Sequence, residues 1–249
     1  WDFRINEIWK YKDLLFLFVR RDFVAVYKQT ILGPFWFFIQ PVFSTLVFTV
    51  IFGTVAKIPT DGIPPILFYM TGITAWNYFS DCLNKTSATF TSNAGIFGKV
   101  YFPRMIVPLS IIISNLIKFG IQFLLLLCFI VFYYLKGTNV NLNGWVLLTP
   151  LLLVMMAGMG LGFGIIISSL TTKYRDFQYL IAFGVQLFMY ATPIVYPLSI
   201  LEGKFRTMAL LNPMTAIVET FKYAYLGGGE INFLYLGYSF VMMLFFLLV

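Results

Sequence analysis

From Pro34 to Ala56 the chain runs 23 residues without a charge. At ~1.5 Å rise per residue, a helix of that length reaches ~34 Å, enough to cross a ~30 Å hydrocarbon core. Gly33-Pro34 punctuates its start, and Gln40-Pro41 puts an amide and an expected kink inside it. Upstream, residues 4–28 read as an amphipathic helix. Phe16, Val19, Phe23 and Val26 recur at spacings of three and four, with Asp13, Arg20, Arg21 and Lys28 off that face. Such a helix lies in the plane of an anionic lipid interface.

Further apolar runs extend the pattern to six spans, at roughly 34–56, 66–88, 106–135, 145–170, 177–197 and 233–249. Residues 198–232 are too polar and too broken to span, and read as an outer hairpin of two short helices. Asn212-Pro213 caps and begins the second, and Gly227-Gly228-Gly229 ends it. The fold class is therefore all-α integral membrane. Residues 1–33 form a cytoplasmic interface helix and 34–249 a six-span transmembrane domain. The chain opens at Trp1 and stops at Val249 within an apolar run, so both ends read as trimmed.

The second span is the least apolar. Thr74, Asn77, Asp81 and Asn84 share one face, and Asp81 and Lys85 are spaced for an i,i+4 pair. The third carries Asn115, Lys118 and Gln122 at spacings of three and four, and the fifth carries Gln178, Gln186, Tyr190 and Thr192. Lipid satisfies none of these groups, so they face protein or water. In the fourth span, Gly158/Gly162 and Gly160/Gly164 fit the small-xxx-small pattern of closely packed helices. Between the second and third spans, Gly95, Gly98 and Pro103 break any long helix. Ile96–Tyr101 is left as one short turn with an apolar tip, near Lys99 and Arg104.

Composition confirms the class: 60% apolar with 11% charged residues excludes an ordinary soluble domain. No histidine is present, which removes the commonest general base and metal ligand. Cys82 and Cys128 fall inside spans and read as small buried hydrophobes. Residues 1–33, 85–105 and 171–176 hold 11 Lys and Arg. Lys57, Lys136, Lys204, Arg206 and Lys222 make 5 on the opposite side. That asymmetry places the N-terminus on the cytoplasmic side of a multi-pass membrane protein.

No engine is visible. The phosphate-cradling pattern GxxxxGK[ST] is absent, and no carboxylate pair sits beside a base. Uphill transport therefore needs an ion gradient or a separate ATPase. For Asp81 and Lys118 two readings stand: an ion pair that fixes helix packing, or a hydrated path. The aromatics, 20% of the chain, also read two ways: interfacial belts, or a channel wall offering platforms to sugar rings. Trp36, Gln40 and Phe43 fall at spacings of four and three, mixing stacking with an amide. The candidate path is Trp36, Gln40, Phe43, Asn77, Asp81, Asn115, Lys118, Gln122, Gln186 and Tyr190. No metal site and no catalytic residue is expected.

RRDFVAVYKQTILGPFWFFIQP (Arg20–Pro41) resembles the interfacial helix and first span of type-two ABC exporter permeases, above all those of O-antigen and related polysaccharides. Phe52–Ser80, Asn93–Ser110 and LLNPMTAIVETFKYAYLG (Leu210–Gly227) resemble the same family, so the likeness covers nearly the whole chain. It implies a homodimer bound to two ATP-binding cassette subunits, with ATP and Mg in those partners and no cofactor in this chain. The implied cargo is a polyprenyl-diphosphate-linked polysaccharide, with no nucleic-acid partner. Arg20, Arg21 and Lys28 are expected to attract the lipid diphosphate by charge. Ile96, Phe97, Lys99, Tyr101 and Arg104 are expected to meet the ATPase, and Asn212, Pro213 and Glu219 to form an outer gate. Exporters of teichoic acid, capsule, lipid or drug share the pattern. A membrane-embedded glycosyl- or phosphotransferase, with Asp81 as its carboxylate, is the reading from another class.

Overall fold

The structure is a computed structural model that describes residues 5–28, 30–138, 141–174 and 176–249, apart from the side chains at 5, 6, 26, 27 and 34. Arg4 and Arg175, counted in the charge asymmetry, and the Val26 side chain lie outside the described residues. Among the described residues every regular element is a helix, and none is a strand.

The N-terminal segment is two helices, α1 (Ile5–Lys10) and α2 (Lys12–Tyr27). The apolar face of α2 is only partly the one the spacing predicts. Val19 is buried and Phe23 half-buried, but Phe16 is exposed and Leu15 and Phe18 are buried instead. Leu15 and Phe18 form a small core with Phe102, Ile106, Val107 and Ile111. Leu14 to Val19 is apolar at every position, so periodicity alone does not choose a face and the partner does.

Gly33 takes φ +49° and opens a 3-10 turn, Gly33–Phe35, that feeds α3 (Trp36–Phe48). The helix continues through Pro41, and its irregular stretch comes later, as a π turn over Thr49–Val55. A loop then leads to α4 (Pro65–Ser87), which has Pro at its first position, where a missing N–H leaves nothing unpaired. Two single turns follow, α5 (Thr89–Ser92) and α6 (Ala94–Phe97). The short turn is thus Ala94–Phe97, earlier than the expected Ile96–Tyr101.

The remaining apolar runs give α7 (Ile106–Leu135), α8 (Thr149–Lys173, led by a 3-10 stretch), α9 (Phe177–Ala191) and α12 (Phe233–Leu248). The fifth run is shorter than expected, because Pro193 and Pro197 stop the helix at Ala191. Between α9 and α12 the outer hairpin is α10 (Gly203–Leu211) and α11 (Pro213–Leu226). As the sequence predicts, Asn212 Oδ1 accepts from Met214 N at 2.9 Å, and Gly227 ends α11 in the left-handed conformation, φ +75°.

Among the described residues, Trp36–Val55, Ile106–Leu135 and Gly144–Lys173 are long and apolar enough to cross a membrane. Helices α9 and α12 are apolar but shorter, and α4 is long but polar on one side. The centre of the molecule is α4, packed between α7 and α8 and touched by α3, α9 and α11. The four glycines of α8 serve two neighbours. A Cβ at Gly160 or Gly164 would press on Cys82, Leu83 or Thr86 of α4, and one at Gly158 or Gly162 on Met243 or Phe246 of α12. Alternating pairs on one helix thus seat it against α4 on one side and α12 on the other. Cys82 is buried, but Cys128 is exposed on the surface of α7, against the expectation for both.

Candidate functional site

Sixteen of the 23 residues of α4 are buried. From Leu67 to Ser87, the positions left open are Asn77, Ser80, Asp81, Asn84 and Lys85. All are polar, and their spacings of three, four, seven and eight place them on one face of the helix. The strip is ~12 Å long at ~1.5 Å per residue. It faces the side where α7 presents Asn115 and Lys118.

The pairing across these helices differs from the i,i+4 expectation. Asp81 Oδ2 accepts from Lys118 Nζ at 2.7 Å, and Lys85 Nζ donates to Asn115 Oδ1 at 2.7 Å. Asp81 and Lys85 are joined only through α7. A lysine on a neighbouring helix reaches the carboxylate straight on, whereas an i,i+4 pair on the same helix must bend along its surface. Asn115 also donates to Cys82 Sγ at 3.8 Å, and Asn84 Nδ2 to Ser80 Oγ at 3.2 Å. The Asp81 and Lys118 side chains keep 28% and 15% of their surface exposed. Asn115 and Gln122 are each 1% exposed. They sit between helices within the chain, Asn115 as a partner of Lys85.

The aromatic candidates lie elsewhere. Trp36 and Phe43 on α3 are 47% and 63% exposed, Gln40 is exposed between them, and Gln186 and Tyr190 are exposed on α9. Tyr179 and Phe183 extend the open aromatic face of α9. The structure thus separates the candidate path into a polar strip on α4 and α7 and two aromatic faces on α3 and α9.

On the interface side, Arg20 and Lys28 are exposed. Arg21 is not free for a headgroup. Its guanidinium holds Asp22 at 2.8 Å, reaches Asn93 Oδ1 at 3.5 Å and lies 4.7 Å from the Phe18 ring. It ties α2 to the 89–105 segment. In that segment Phe97 is no open tip: its ring stacks on Phe102 at 5.5 Å and meets Phe90 at 5.9 Å. Ile96 is half-buried, while Lys99, Val100, Tyr101 and Arg104 are exposed. Val100 is the surface residue that sequence reasoning missed there.

The residues expected at the outer gate, Asn212, Pro213 and Glu219, are buried or half-buried. Helix α11 is buried nearly throughout, with Asn212 and Glu219 inside the core. Glu219 pairs with Lys222 at 3.4 Å, and Lys222 also donates to Pro193 O and lies 3.7 Å from the Phe68 ring. At 14 residues this hairpin helix is shorter than a membrane span needs. Burial pushes the Glu219 carboxyl above its usual range and the Lys222 ammonium below its own, and each opposes the other's shift. Asn212 Nδ2 donates to Thr192 Oγ1 at 2.8 Å. These bonds fix α11 to the break after α9. The exposed apolar surface of the hairpin is on α10, at Phe205, Met208 and Leu211. Lys222, counted from sequence as a loop charge, is 1% exposed and belongs to the core. Its partner three residues away was visible in the sequence, but its burial was not.

Among the described residues no group of His, Cys, Asp and Glu is placed to hold a metal. The sequence profile described as "ABC-2 type transporter" matches residues 13–226. A Klebsiella pneumoniae protein named "O-antigen export system permease protein RfbA" is 27% identical over 235 residues, 94% of this chain and 86% of that protein. A Myxococcus xanthus protein of the same name is 28% identical over 222 residues, 88% of this chain and 82% of that protein.

Proposed function

The chain belongs to the ABC-2 type transporter family, and from that premise we propose that it is the channel-forming subunit of an ATP-driven polysaccharide exporter. Its membrane is the bacterial inner membrane, with the N-terminus cytoplasmic and six spans, α3, α4, α7, α8, α9 and α12. Two copies of the chain work with two ATP-binding subunits, which hydrolyse the ATP. The cargo is a lipid-linked polysaccharide of the O-antigen type, moved from the cytoplasmic to the outer side. The names of the similar proteins support that cargo.

The observation that carries the reading is the division of open surface at membrane depth. From Leu67 to Ser87 the core helix α4 opens only through polar side chains, while α3 and α9 open largely through aromatics. A glycan needs both: amides and charges for its hydroxyls, and flat apolar faces for its rings. Neither surface reads a sequence of sugars, which suits a polymer in transit. Lys99, Val100, Tyr101 and Arg104 are the exposed groups offered to the ATPase, with Phe97 and Arg21 holding their backbone in place.

The test is co-purification with the ATPase encoded beside this chain, followed by hydrolysis with and without extracted lipid-linked glycan. A stable complex whose hydrolysis responds to the glycan is the expected result. A chain that recruits no ATPase overturns the reading.

A further inference from the structure

We propose that Lys85 and Lys118 form a binding site for the phosphate or diphosphate headgroup of an amphiphile, at the end of the α4 strip nearest the 89–105 segment. The inference rests on the exporter reading for its biological ligand, but the site itself stands on geometry. Four side chains close a ring across two helices: Asp81 and Lys85 one turn apart on α4, Asn115 and Lys118 one turn apart on α7, joined at 2.7 Å on both sides. The ring holds two ammonium groups and one carboxylate. Asp81 is taken by Lys118, so the ring keeps one uncompensated positive charge. That charge sits on Lys85, which is exposed and whose described bond goes to a neutral amide oxygen. No carboxylate pairs with Lys85 among the described residues.

The level is right for a headgroup. Asn115 lies ~13 Å along α7 from Ile106 at ~1.5 Å per residue. The first turns of α7, Ile106 to Ile111, carry the interface helix α2. The ring is therefore one turn deeper than that helix, at the boundary between headgroups and acyl chains. A cation there is costly unless it is hydrated or meets an anion. Of the N-terminal cations, Arg21 is committed to Asp22 and Asn93. The neighbouring Asn84 and Ser80 continue the polar surface deeper along α4, where the first sugars attached to a diphosphate would lie.

The test uses the full chain in phosphatidylcholine nanodiscs, with and without its ATPase subunit, and geranylgeranyl diphosphate as the probe. Expected are saturable binding, weaker binding of geranylgeraniol, and competition by inorganic diphosphate. Lys85→Gln is expected to weaken binding about fivefold, the share of one cation at a membrane surface, and Lys85→Arg to retain it. Lys85→Gln also gives up the ammonium's bond to the buried Asn115, so a small fall in the thermal midpoint is expected, and Lys85→Arg, which keeps a charged donor, controls for it. The double variant Asp81→Asn/Lys118→Gln keeps the local net charge change at zero, and is expected to weaken binding while preserving the fold. Equal binding to Lys85→Gln and the native chain overturns the site. Nanodiscs of phosphatidylglycerol that compete as well as the diphosphate overturn its assignment to a diphosphate, in favour of bulk anionic lipid. Failure of ATPase recruitment overturns the exporter reading and leaves this binding result standing; loss of the Lys85 dependence does the reverse.

Discussion

Helices α4 and α9 lie side by side, yet they are built on opposite plans. Helix α4 buries sixteen residues and opens through polar ones; α9 buries Val185 alone and opens through Tyr179, Phe183, Leu187 and Tyr190. Helix α3 resembles α9, with Phe37, Pro41 and Thr45 as its buried residues. The first plan makes a folding core, completed within one chain by α7, α8, α11 and α12. The second leaves surface whose purpose lies outside the fold of a single copy. Substitutions should therefore separate cleanly: core changes cost stability, and flank changes cost transport.

The largest effect should come from the buried pair of α11. Lys222→Met leaves Glu219 buried and uncompensated, which costs about 3–5 kcal/mol. The thermal midpoint in detergent should fall sharply, and adding Glu219→Gln should restore most of it. If Lys222→Met alone is harmless, α11 is not part of the core and the comparison breaks.

Next comes the glycine seam. A Cβ at Gly162 would stand 2.5 Å from the Phe246 backbone, which cannot swing aside as a side chain can. Gly162→Ala should cost about 1–3 kcal/mol by overpacking. Gly184→Ala, on α9, meets nothing within 4 Å and should stabilise by about 0.5–1 kcal/mol through helix propensity. Opposite signs in one unfolding assay would sharpen the contrast; equal signs would erase it.

These two cases also mark how far the sequence was legible. The glycine spacing announced a close packing, because small residues repeat on a helix face for little other reason. Apolar run lengths placed most of the long helices, and the Asn212 cap and Gly227 stop were readable from local chemistry. The fifth run was overextended, since Pro193 sits within apolar sequence and only the helix end shows that it breaks. The face of α2 was only half legible, with Val19 right and Phe16 wrong, because its run is apolar on every side. The partners of Asp81 and Lys85 come from a helix some thirty residues on, so no local spacing reveals them. Burial of Lys222 was invisible for the same reason: a charge in a short helix looks like a loop charge until the surrounding helices are placed.

A smaller effect belongs to the hinge-like break between α9 and the hairpin. Asn212→Ala removes both the cap on Met214 N and the bond to Thr192. It should cost about 1 kcal/mol, less than the pair or the seam. Hydrogen exchange should rise at residues 192–214 and stay unchanged in α8. Faster exchange throughout would mean that the break and the core unfold as one unit.

The smallest effect on stability should come from Trp36→Ala, and it decides what the open flank is for. Trp36 is half exposed and lies outside both hydrophobic cores, so truncation should shift unfolding by less than about 0.5 kcal/mol, as at other surface positions. If the α3 and α9 faces carry sugar rings, glycan-responsive ATP hydrolysis should fall severalfold, because stacking on an aromatic is lost with no other group to replace it. Tyr190→Ala should act in the same direction, and Tyr190→Phe should keep most activity, since the ring face remains. If neither variant changes hydrolysis or export, the aromatics of α3 and α9 face lipid. The polar strip of α4 then has to guide the glycan without them.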